Sequence, residues 1–266
     1  GNPFDSQNSG NALNHTQKLR FIRRIYGSDE FINGKDRYCL WIEDRHLHDA
    51  EKIPEIKERL DRVRATRLAS RDKSANDMAK RAHQMREMNF GHTHTIVIPA
   101  VSSERREWFQ IGLIDQNATI SNRNFALYDA PLWNLAILSS RFHYVWIDAV
   151  CGKLETRFNY SNTLGWNTFP VPTLTEKNKD DLTRAAEEIL MARETHFPVT
   201  IADLYDPEKM PANLREAHDR NDEVLERIYI GRRFKNDTER LEKLFELYTK
   251  MTANASPAKK QKAGAI

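Results

Sequence analysis

Hydrophobic positions in the first part of the chain change from strand-like to helix-like spacing. Residues 19–26 form a short apolar and basic run that fits a helix or a strand, and residues 27–29 then turn the chain. Residues 38–42, rich in aromatic and branched side chains, predict a strand. From residue 51 to residue 88, apolar side chains recur at helical spacing on both sides of a break near 70–74, which predicts a helical hairpin.

Residues 93–171 have the pattern of a sheet region that contains one helix. Pro131 opens that helix, which continues to about residue 145, and residues 167–172 interrupt regular structure. The runs predicted to be extended are residues 95–99, 108–114, 118–121, 125–128 and 153–158.

The remaining sequence predicts helices only. Thr175 is a good N-cap for a helix over residues 176–193, Pro211 begins a second helix, and Asp237 caps a third. The predicted fold class is α+β, with a mixed or antiparallel sheet domain that carries an inserted helical hairpin, followed by a small all-α domain. The predicted divisions are a flexible lead-in at 1–17, the sheet domain at 18–172, the helical domain at 173–253 and a disordered tail at 254–266.

Composition is that of a soluble folded protein. Hydrophobic residues make up 39% of the sequence, and no run approaches the ~18 apolar residues of a membrane span. No secretory signal is visible, so we expect a cytoplasmic protein. Because the sequence starts at Gly1 and not at Met, we interpret it as a piece of a longer polypeptide. Residues 1–172 carry a net charge of +4 and residues 173–266 a net charge of −1, so a polyanionic partner should meet the first part.

Motifs for catalysis and for metal binding are weak. Glu55-Ile56-Lys57 resembles part of a nuclease magnesium site, but it falls within a helical run, where a solvated helix is the simpler interpretation. The two His-x-His pairs, at 46–48 and 92–94, lack the neighbouring cysteines or acids of a metal site. Cys39 and Cys151 lie in apolar surroundings and predict buried thiols, not a disulfide.

A self-contained methyltransferase would need a glycine-rich cofactor loop and an Asn/Asp-Pro-Pro-aromatic motif for a flipped adenine. Neither occurs, and Asn2-Pro3-Phe4 is only a faint echo of the second. We therefore expect no catalytic residue and no cofactor in this chain.

Residues 151–161 carry the most informative polar pattern. On a strand, Glu155, Arg157 and Asn159 would share one face at a spacing of about 6–7 Å. Arginine can donate to guanine O6 and N7, and glutamate can accept from cytosine N4, so such a pair could span one G·C base pair. The alternative is that the two opposite charges simply pair with each other in water.

Two further polar segments suit a nucleic acid. Ser102, Ser103, Arg105 and Arg106 follow a proline-ended strand and could bind phosphate oxygens, although Glu104 could equally offset one arginine in an exposed loop. Residues 122–124 form a polar tip in which Asn122 and Asn124 could read adenine, or could serve only as turn residues.

Several motifs in one order resemble the target recognition domain of type IIL (Mme-like) restriction–modification enzymes. The resemblance covers residues from about 18 to 252, and its last two motifs resemble the small C-terminal domain of that family. The motifs are FINGKDRYCLW (31–41), VSSERRE (101–107), YDAP (128–131), LSSR (138–141), VCGKLETR (150–157), YSNT (160–163), NTFP (167–170), ADLYDP (202–207) and residues 241–248.

The resemblance implies that Glu155 and Arg157 are a base-reading pair, that positions near Asn122 and Asn159 also read bases, and that double-stranded DNA is the partner. Relatives vary the first two positions together, often as Lys with Asp. Many relatives have Arg at 159 and Tyr at 166, where this chain has Asn and Trp, which puts the base read at 159 in doubt.

The family fuses this domain to an adenine N6 methyltransferase domain in the same polypeptide, which would hold S-adenosylmethionine, and often to a nuclease. In this context Lys153, Tyr160 and Ser161 are expected to join the phosphate contacts. The rival interpretations are a nuclease or other catalytic fragment, and a scaffold that binds proteins through its helices.

Overall fold

The structure is a computed structural model, and it describes residues 15–254. The predicted lead-in and tail therefore fall almost entirely outside the described residues, as does the Asn2-Pro3-Phe4 motif. Residues 15–17 belong to the first helix and Asn254 ends the last one.

The N-terminal elements alternate short strands and helices around a small apolar cluster. Phe21, Ile42, Ile56 and Leu60 are buried together in that cluster. The elements are α1 (His15–Phe21), β1 (Ile22–Tyr26), α2 (Ser28–Asn33), β2 (Tyr38–Leu40), α3 (Leu47–Glu51), α4 (Pro54–Leu68) and α5 (Lys73–Asp77).

The second arm of the helical hairpin is shorter than its spacing predicts. α5 ends at Asp77 and a 3-10 turn follows at Met78–Arg81. The guanidinium of Arg67, on α4, donates hydrogen bonds to the carbonyl oxygens of Met78, Arg81 and Gln84 at 2.7–3.0 Å. These side-chain bonds satisfy carbonyls that a longer helix would have satisfied itself.

Seven strands follow, and with β1 and β2 they form three small sheets with the orders β2-β1-β6, β5-β3-β7 and β4-β9-β8. Only the β1–β6 pair is parallel among the described strands. The mixed α+β prediction is confirmed. The strands are β3 (His94–Pro99), β4 (Val101–Ser102), β5 (Gly112–Asp115), β6 (Ala118–Ile120), β7 (Asn124–Tyr128), β8 (Gly152–Leu154) and β9 (Arg157–Asn159).

Two further predicted elements differ from the structure. Residues 108–111 are not extended sheet, although Trp108 and Phe109 are buried. The helix predicted to open at Pro131 is two helices, α6 (Trp133–Leu138) and α7 (Arg141–Val150). The Ser140 hydroxyl accepts a hydrogen bond from the backbone N–H of His143, so a new N-cap interrupts the helical run.

The C-terminal part is helical throughout, as its spacing predicts. The Thr175 hydroxyl caps the first helix by accepting the N–H of Asn178 at 3.1 Å. The helices are α8 (Glu176–Glu194), α9 (Ile201–Leu204), α10 (Ala212–Ile230) and α11 (Asp237–Asn254).

One apolar core extends across the predicted boundary at 172/173. Ile96 and Leu135 from the sheet region lie in the same cluster as Leu182 on α8 and Leu225 on α10. Phe142, on α7, stacks on Phe234 with ring centroids 5.2 Å apart. The C-terminal helices thus complete the core on which the strands rest.

A buried carboxylate joins the two parts. Asp222, on α10, accepts hydrogen bonds from the Trp108 indole N–H at 2.8 Å and from the backbone N–H of Arg141 at 2.7 Å. Burial raises the pKa of Asp222 to about 7, against the lowering effect of these two hydrogen bonds, and the neighbouring charge of Glu226 contributes to the rise. These bonds tie α10 to the residue that follows the 101–107 loop and to the first turn of α7.

This raised pKa makes stability depend on pH. The Asp222 carboxyl has a pKa near 3.9 when unfolded, so the folded state binds the extra proton between about pH 4 and pH 7. Its contribution to stability is complete below pH 4 and is lost as the pH rises through about 7. Urea unfolding should show that the free energy of unfolding falls more between pH 5 and pH 8 for the wild type than for Asp222→Asn. Parallel losses in the two proteins would contradict this assignment.

Candidate nucleic-acid interface

Residues 152–159 form a hairpin, not the single strand that their pattern predicts. β8 and β9 pair antiparallel, with Leu154 opposite Arg157 and a two-residue turn at Glu155 and Thr156. The run has one buried side chain, Phe158, so a reversal keeps that ring in the core and leaves the polar residues in solvent. Glu155 therefore lies at a turn and does not share a strand face with Arg157.

Glu155 and Arg157 are nevertheless in contact. An Arg157 Nη2 atom lies 2.8 Å from a Glu155 Oε2 atom, and both side chains are largely exposed. Mutual pairing of the two charges is thus present in the chain alone. Asn159 lies on the same outward face of β9 as Arg157, because Phe158 between them points into the core.

The backbone of Glu155 has a left-handed conformation, with φ of 59°. Such a conformation costs non-glycine residues roughly 1–2 kcal/mol, and glycine is the usual residue at such turn positions. Local folding preference therefore does not account for a glutamate at this turn.

In the 101–107 loop, two of the side chains that were expected to bind phosphate, Ser102 and Arg106, are used inside the fold. The Ser102 hydroxyl is buried and donates to Gln110 Oε1 at 2.5 Å, and the Arg106 guanidinium donates to the same oxygen at 2.9 Å. Both side chains hold the loop from inside. Ser103 is half-buried, and Arg105 is exposed with an ion pair to Glu208 at 3.7 Å.

The loop is joined to the hairpin tip through Glu104. Its carboxylate accepts hydrogen bonds from its own backbone N–H and from the Thr156 hydroxyl, which together hold the pKa of Glu104 below its usual range. The Tyr144 hydroxyl donates to the Glu104 carbonyl at 3.2 Å. Loop and hairpin therefore present one continuous surface.

In the 121–124 turn, Asn124 was expected to read a base, but its side chain faces inward. Asn124 is buried; its amide donates to the Tyr26 carbonyl at 2.9 Å and its Oδ1 accepts from the Ser28 hydroxyl at 3.1 Å. Asn122 remains exposed. Arg123 is also exposed and has no ion pair with any residue between 15 and 254. The Asn-Arg-Asn pattern predicts a polar turn here, but it does not predict which of the three side chains faces inward.

Backbone hydrogen bonds bring these segments together. The Ala100 N–H donates to the Arg123 carbonyl at 3.0 Å, and the Tyr160 N–H donates to the Ala100 carbonyl at 2.8 Å. Val101 pairs with Asn159. We call the resulting surface the recognition edge. Its residues are Ser103, Arg105, Asn122, Arg123, Lys153, Glu155, Arg157 and Asn159.

The remaining predicted phosphate contacts differ in position. Lys153, on β8, is exposed and lies 2.8 Å from Asp148. Tyr160 is buried against His143, with its hydroxyl 3.3 Å from the ring Nε2, so it is a core residue and not a surface donor. Burial raises the pKa of the Tyr160 hydroxyl. Ser161 is half-buried and its hydroxyl caps the π-helical turn Asn162–Trp166.

Other candidate chemistry finds no assembled site. Within residues 15–254, no group of three or more His, Cys, Asp or Glu side chains could hold a metal ion. Glu55 and Lys57 lie on α4 beside the fully buried Ile56. Cys39 and Cys151 are free thiols, half-buried and buried respectively. None of the described helices is both long and apolar enough to cross a bilayer.

The small sheets, the exposed hairpin and the helical support define a recognition module that presents hydrogen-bonding side chains from loops and a strand edge. The chain belongs to the MmeI family. Residues 4–173 match the family described as MmeI, target recognition domain, and residues 174–255 match MmeI, C-terminal domain. The family resemblance of the sequence motifs is confirmed.

Two known proteins place this module within longer chains. "DNA methyltransferase A" of Bacillus subtilis (strain 168) is 38% identical over 242 residues, which are 91% of this chain and 27% of that protein. The type IIL restriction–modification enzyme MmeI, solved in complex with DNA, superimposes with a TM-score of 0.83 at 34% identity, over 88% of this chain and 31% of that one. The chain thus spans about a third or less of these relatives.

The conformation of Glu155 gives a stability test. Glu155→Gly should leave the thermal midpoint unchanged or raise it slightly, because the relief of backbone strain offsets the lost surface ion pair. Glu155→Val, branched at Cβ, should lower the midpoint. Calorimetry on both variants checks this, and a marked loss for the glycine variant would show that the glutamate is needed for folding.

Proposed function

We propose that this chain reads a DNA sequence for a larger adenine-specific DNA methyltransferase, with Glu155 and Arg157 as the central base-reading pair. The observation that supports this most directly is the exposed ion pair at the tip of the hairpin. It projects beyond the core and is flanked on β9 by a second exposed polar residue, Asn159.

The chemistry of the pair suits a G·C base pair. Arg157 could donate to guanine O6 and N7, while Glu155 accepts from the amino group of the paired cytosine. Without DNA the two side chains bind each other, and exposed pairs of this kind contribute only about 0–1 kcal/mol. Exchanging that contact for base contacts therefore costs little, and the ion pair keeps both groups near their reading positions.

Neighbouring residues would position the duplex. Asn122, Arg123 and Asn159 are exposed on the same recognition edge and could contact further bases. Ser103, Arg105 and Lys153 could contact phosphate oxygens, which fix the register of a protein on DNA without carrying sequence information. Ser102, Arg106, Asn124 and Tyr160 are left out of this assignment because the fold uses their side chains internally.

Methyl transfer itself would belong to another domain of the same polypeptide. Support comes from the match to a protein named as a DNA methyltransferase, of which this chain covers 27%. That domain would bind S-adenosylmethionine and the target adenine, and the C-terminal helices would brace it or the DNA. The proposal places the protein with the chromosome in the bacterial cytoplasm.

The rival functions predict different results with the 266-residue chain. A nuclease would cleave duplex DNA when magnesium is added, and a protein-binding scaffold would not shift a DNA duplex in a gel even at low salt. We expect a gel shift at low salt without magnesium-dependent cleavage.

The reading role of Arg157 can be tested by binding. A duplex selected from a library with a randomised core supplies a preferred site, and a scrambled duplex serves as reference. Arg157→Ala should weaken binding to the preferred duplex by roughly 1–3 kcal/mol and reduce its advantage over the scrambled one, because a bidentate guanine contact is lost. Fluorescence anisotropy measures both. Arg184→Ala, an exposed and ion-paired arginine on α8, is the control. Unchanged affinity and preference would reject the reading role.

Exchange of the two charges should change the specificity. Glu155→Lys together with Arg157→Asp reverses the two charges and keeps an ion pair at the tip, so the fold should persist while one base of the preferred site changes. Repeating the library selection would reveal the new base. Glu155→Lys alone places two cations side by side and should not yield a defined new site. Selection of the original sequence by the double variant would count against the assignment.

A further inference from the structure

Cations without carboxylate partners are concentrated in one segment. Most exposed Lys and Arg side chains that the structure describes lie within 4.0 Å of a carboxylate oxygen, as on α8 and α11. Outside residues 71–86, only Arg123 and Lys235 are exposed without such an ion pair among the described side chains. Within residues 71–86 there are five: Arg71, Lys73, Lys80, Arg81 and Arg86.

The segment also has an excess of positive charge. Its acidic residues are only Asp72 and Asp77, and Asp72 already accepts the backbone N–H of Ser74 at 2.9 Å. Lys73, Arg81 and Arg86 line a cleft of about 600 Å³. Asp72 and Asp77 line the same cleft, so its walls carry an excess of one positive charge. None of the three cations lies within 4.0 Å of a carboxylate oxygen of a described residue, so an external anion would meet them without an ion pair.

This basic cleft continues toward the recognition edge. Arg86 also lines a neighbouring cleft of about 430 Å³, whose walls include Ser121 and Asn122. Its guanidinium is held by a hydrogen bond to the Ser74 hydroxyl at 2.6 Å. The two clefts therefore adjoin at Arg86 and lead from Asn122 of the recognition edge to the helical hairpin, and Glu87 is the acidic residue in the wall of the second cleft.

The segment is fixed to the rest of the protein although its cations form no ion pair within 4.0 Å among the described residues. The side chains of His83 and Gln84 bond the same Asp44 oxygen, at 2.7 and 2.8 Å. Arg67 binds three carbonyl oxygens across the hairpin, and α4 is anchored by the buried Ile56. The exposed cations are therefore displayed from a backbone with a defined position relative to the sheets.

We propose that residues 71–86 form a second DNA contact, in which Lys73, Arg81 and Arg86 bind backbone phosphates on one flank of the recognised site. This inference rests on the proposed function. Contacts of this type are insensitive to base sequence, release counterions and make binding salt-dependent. The inserted hairpin would thus supply affinity while the hairpin tip supplies base preference.

The experiment compares two triple variants that remove equal charge from the 266-residue chain. Lys73→Gln/Arg81→Gln/Arg86→Gln should weaken binding to preferred and scrambled duplexes alike, by about tenfold at low salt, and lower the log–log salt slope by roughly 2–3. The ratio between the two duplexes should stay unchanged. The control Lys177→Gln/Lys179→Gln/Arg184→Gln, on α8, should bind as wild type.

Shortening the duplex locates the contact. Removing base pairs stepwise from one flank should weaken the wild type but not the triple variant, whereas removal from the other flank should affect both equally. The charge-retaining variant Arg81→Lys/Arg86→Lys should keep most of the affinity. If the triple variant melts early, Lys73→Gln alone repeats the test with an expected drop of about 1 in the salt slope, since this side chain makes no hydrogen bond to another described residue.

The outcomes separate this inference from the proposed function. If the wild type shows sequence preference and the triple variant keeps its affinity and salt slope, only the second contact is overturned. The cations would then bind another partner, such as an acidic protein surface. A wild type that binds DNA without preference would contradict the reading function, while a reduced salt slope in the triple variant would still support the second contact.

Discussion

The position of the recognition edge depends on one buried carboxylate. The Asp222 carboxylate accepts hydrogen bonds from the Trp108 indole N–H and from the backbone N–H of Arg141. A residue of the C-terminal helices therefore holds both the end of the 101–107 loop and the start of α7. α7 then leads through Cys151 directly into the β8–β9 hairpin. Loss of this buried acceptor would be costly, because both donors would be left without a hydrogen-bond partner. The helices are thus part of the recognition surface's support, whatever else they contact.

The same accounting separates structural from available polar groups. Three polar residues in segments that suit DNA use their side chains for hydrogen bonds inside the fold: Ser102, Asn124 and Tyr160. Sequence could predict the segments and their order, because turn residues and alternation mark them. It could not predict which residue of Asn122, Arg123 and Asn124 faces inward, since that depends on contacts with Tyr26 and Ser28 almost a hundred positions away.

The hairpin shows a different limit of prediction. Residues 153–158 alternate as a strand does, and Glu155-Thr156 lacks the glycine or asparagine that usually marks a two-residue turn. The family and the mixed fold were predictable because many motifs recur in one order, whereas this turn breaks the local rule. Places where a sequence departs from its local preference are often functional sites. The left-handed glutamate is consistent with that expectation.

The two proposed contacts divide affinity from specificity. A reading pair at the tip of a two-residue turn touches the fold through few bonds, so its side chains can change without disturbing the core. Phosphate contacts from a separately anchored hairpin would hold the duplex whichever bases the tip prefers. A protein arranged in this way can acquire a new recognition sequence through a few substitutions at the tip. If the same side chains supplied both functions, each change of sequence preference would also weaken binding.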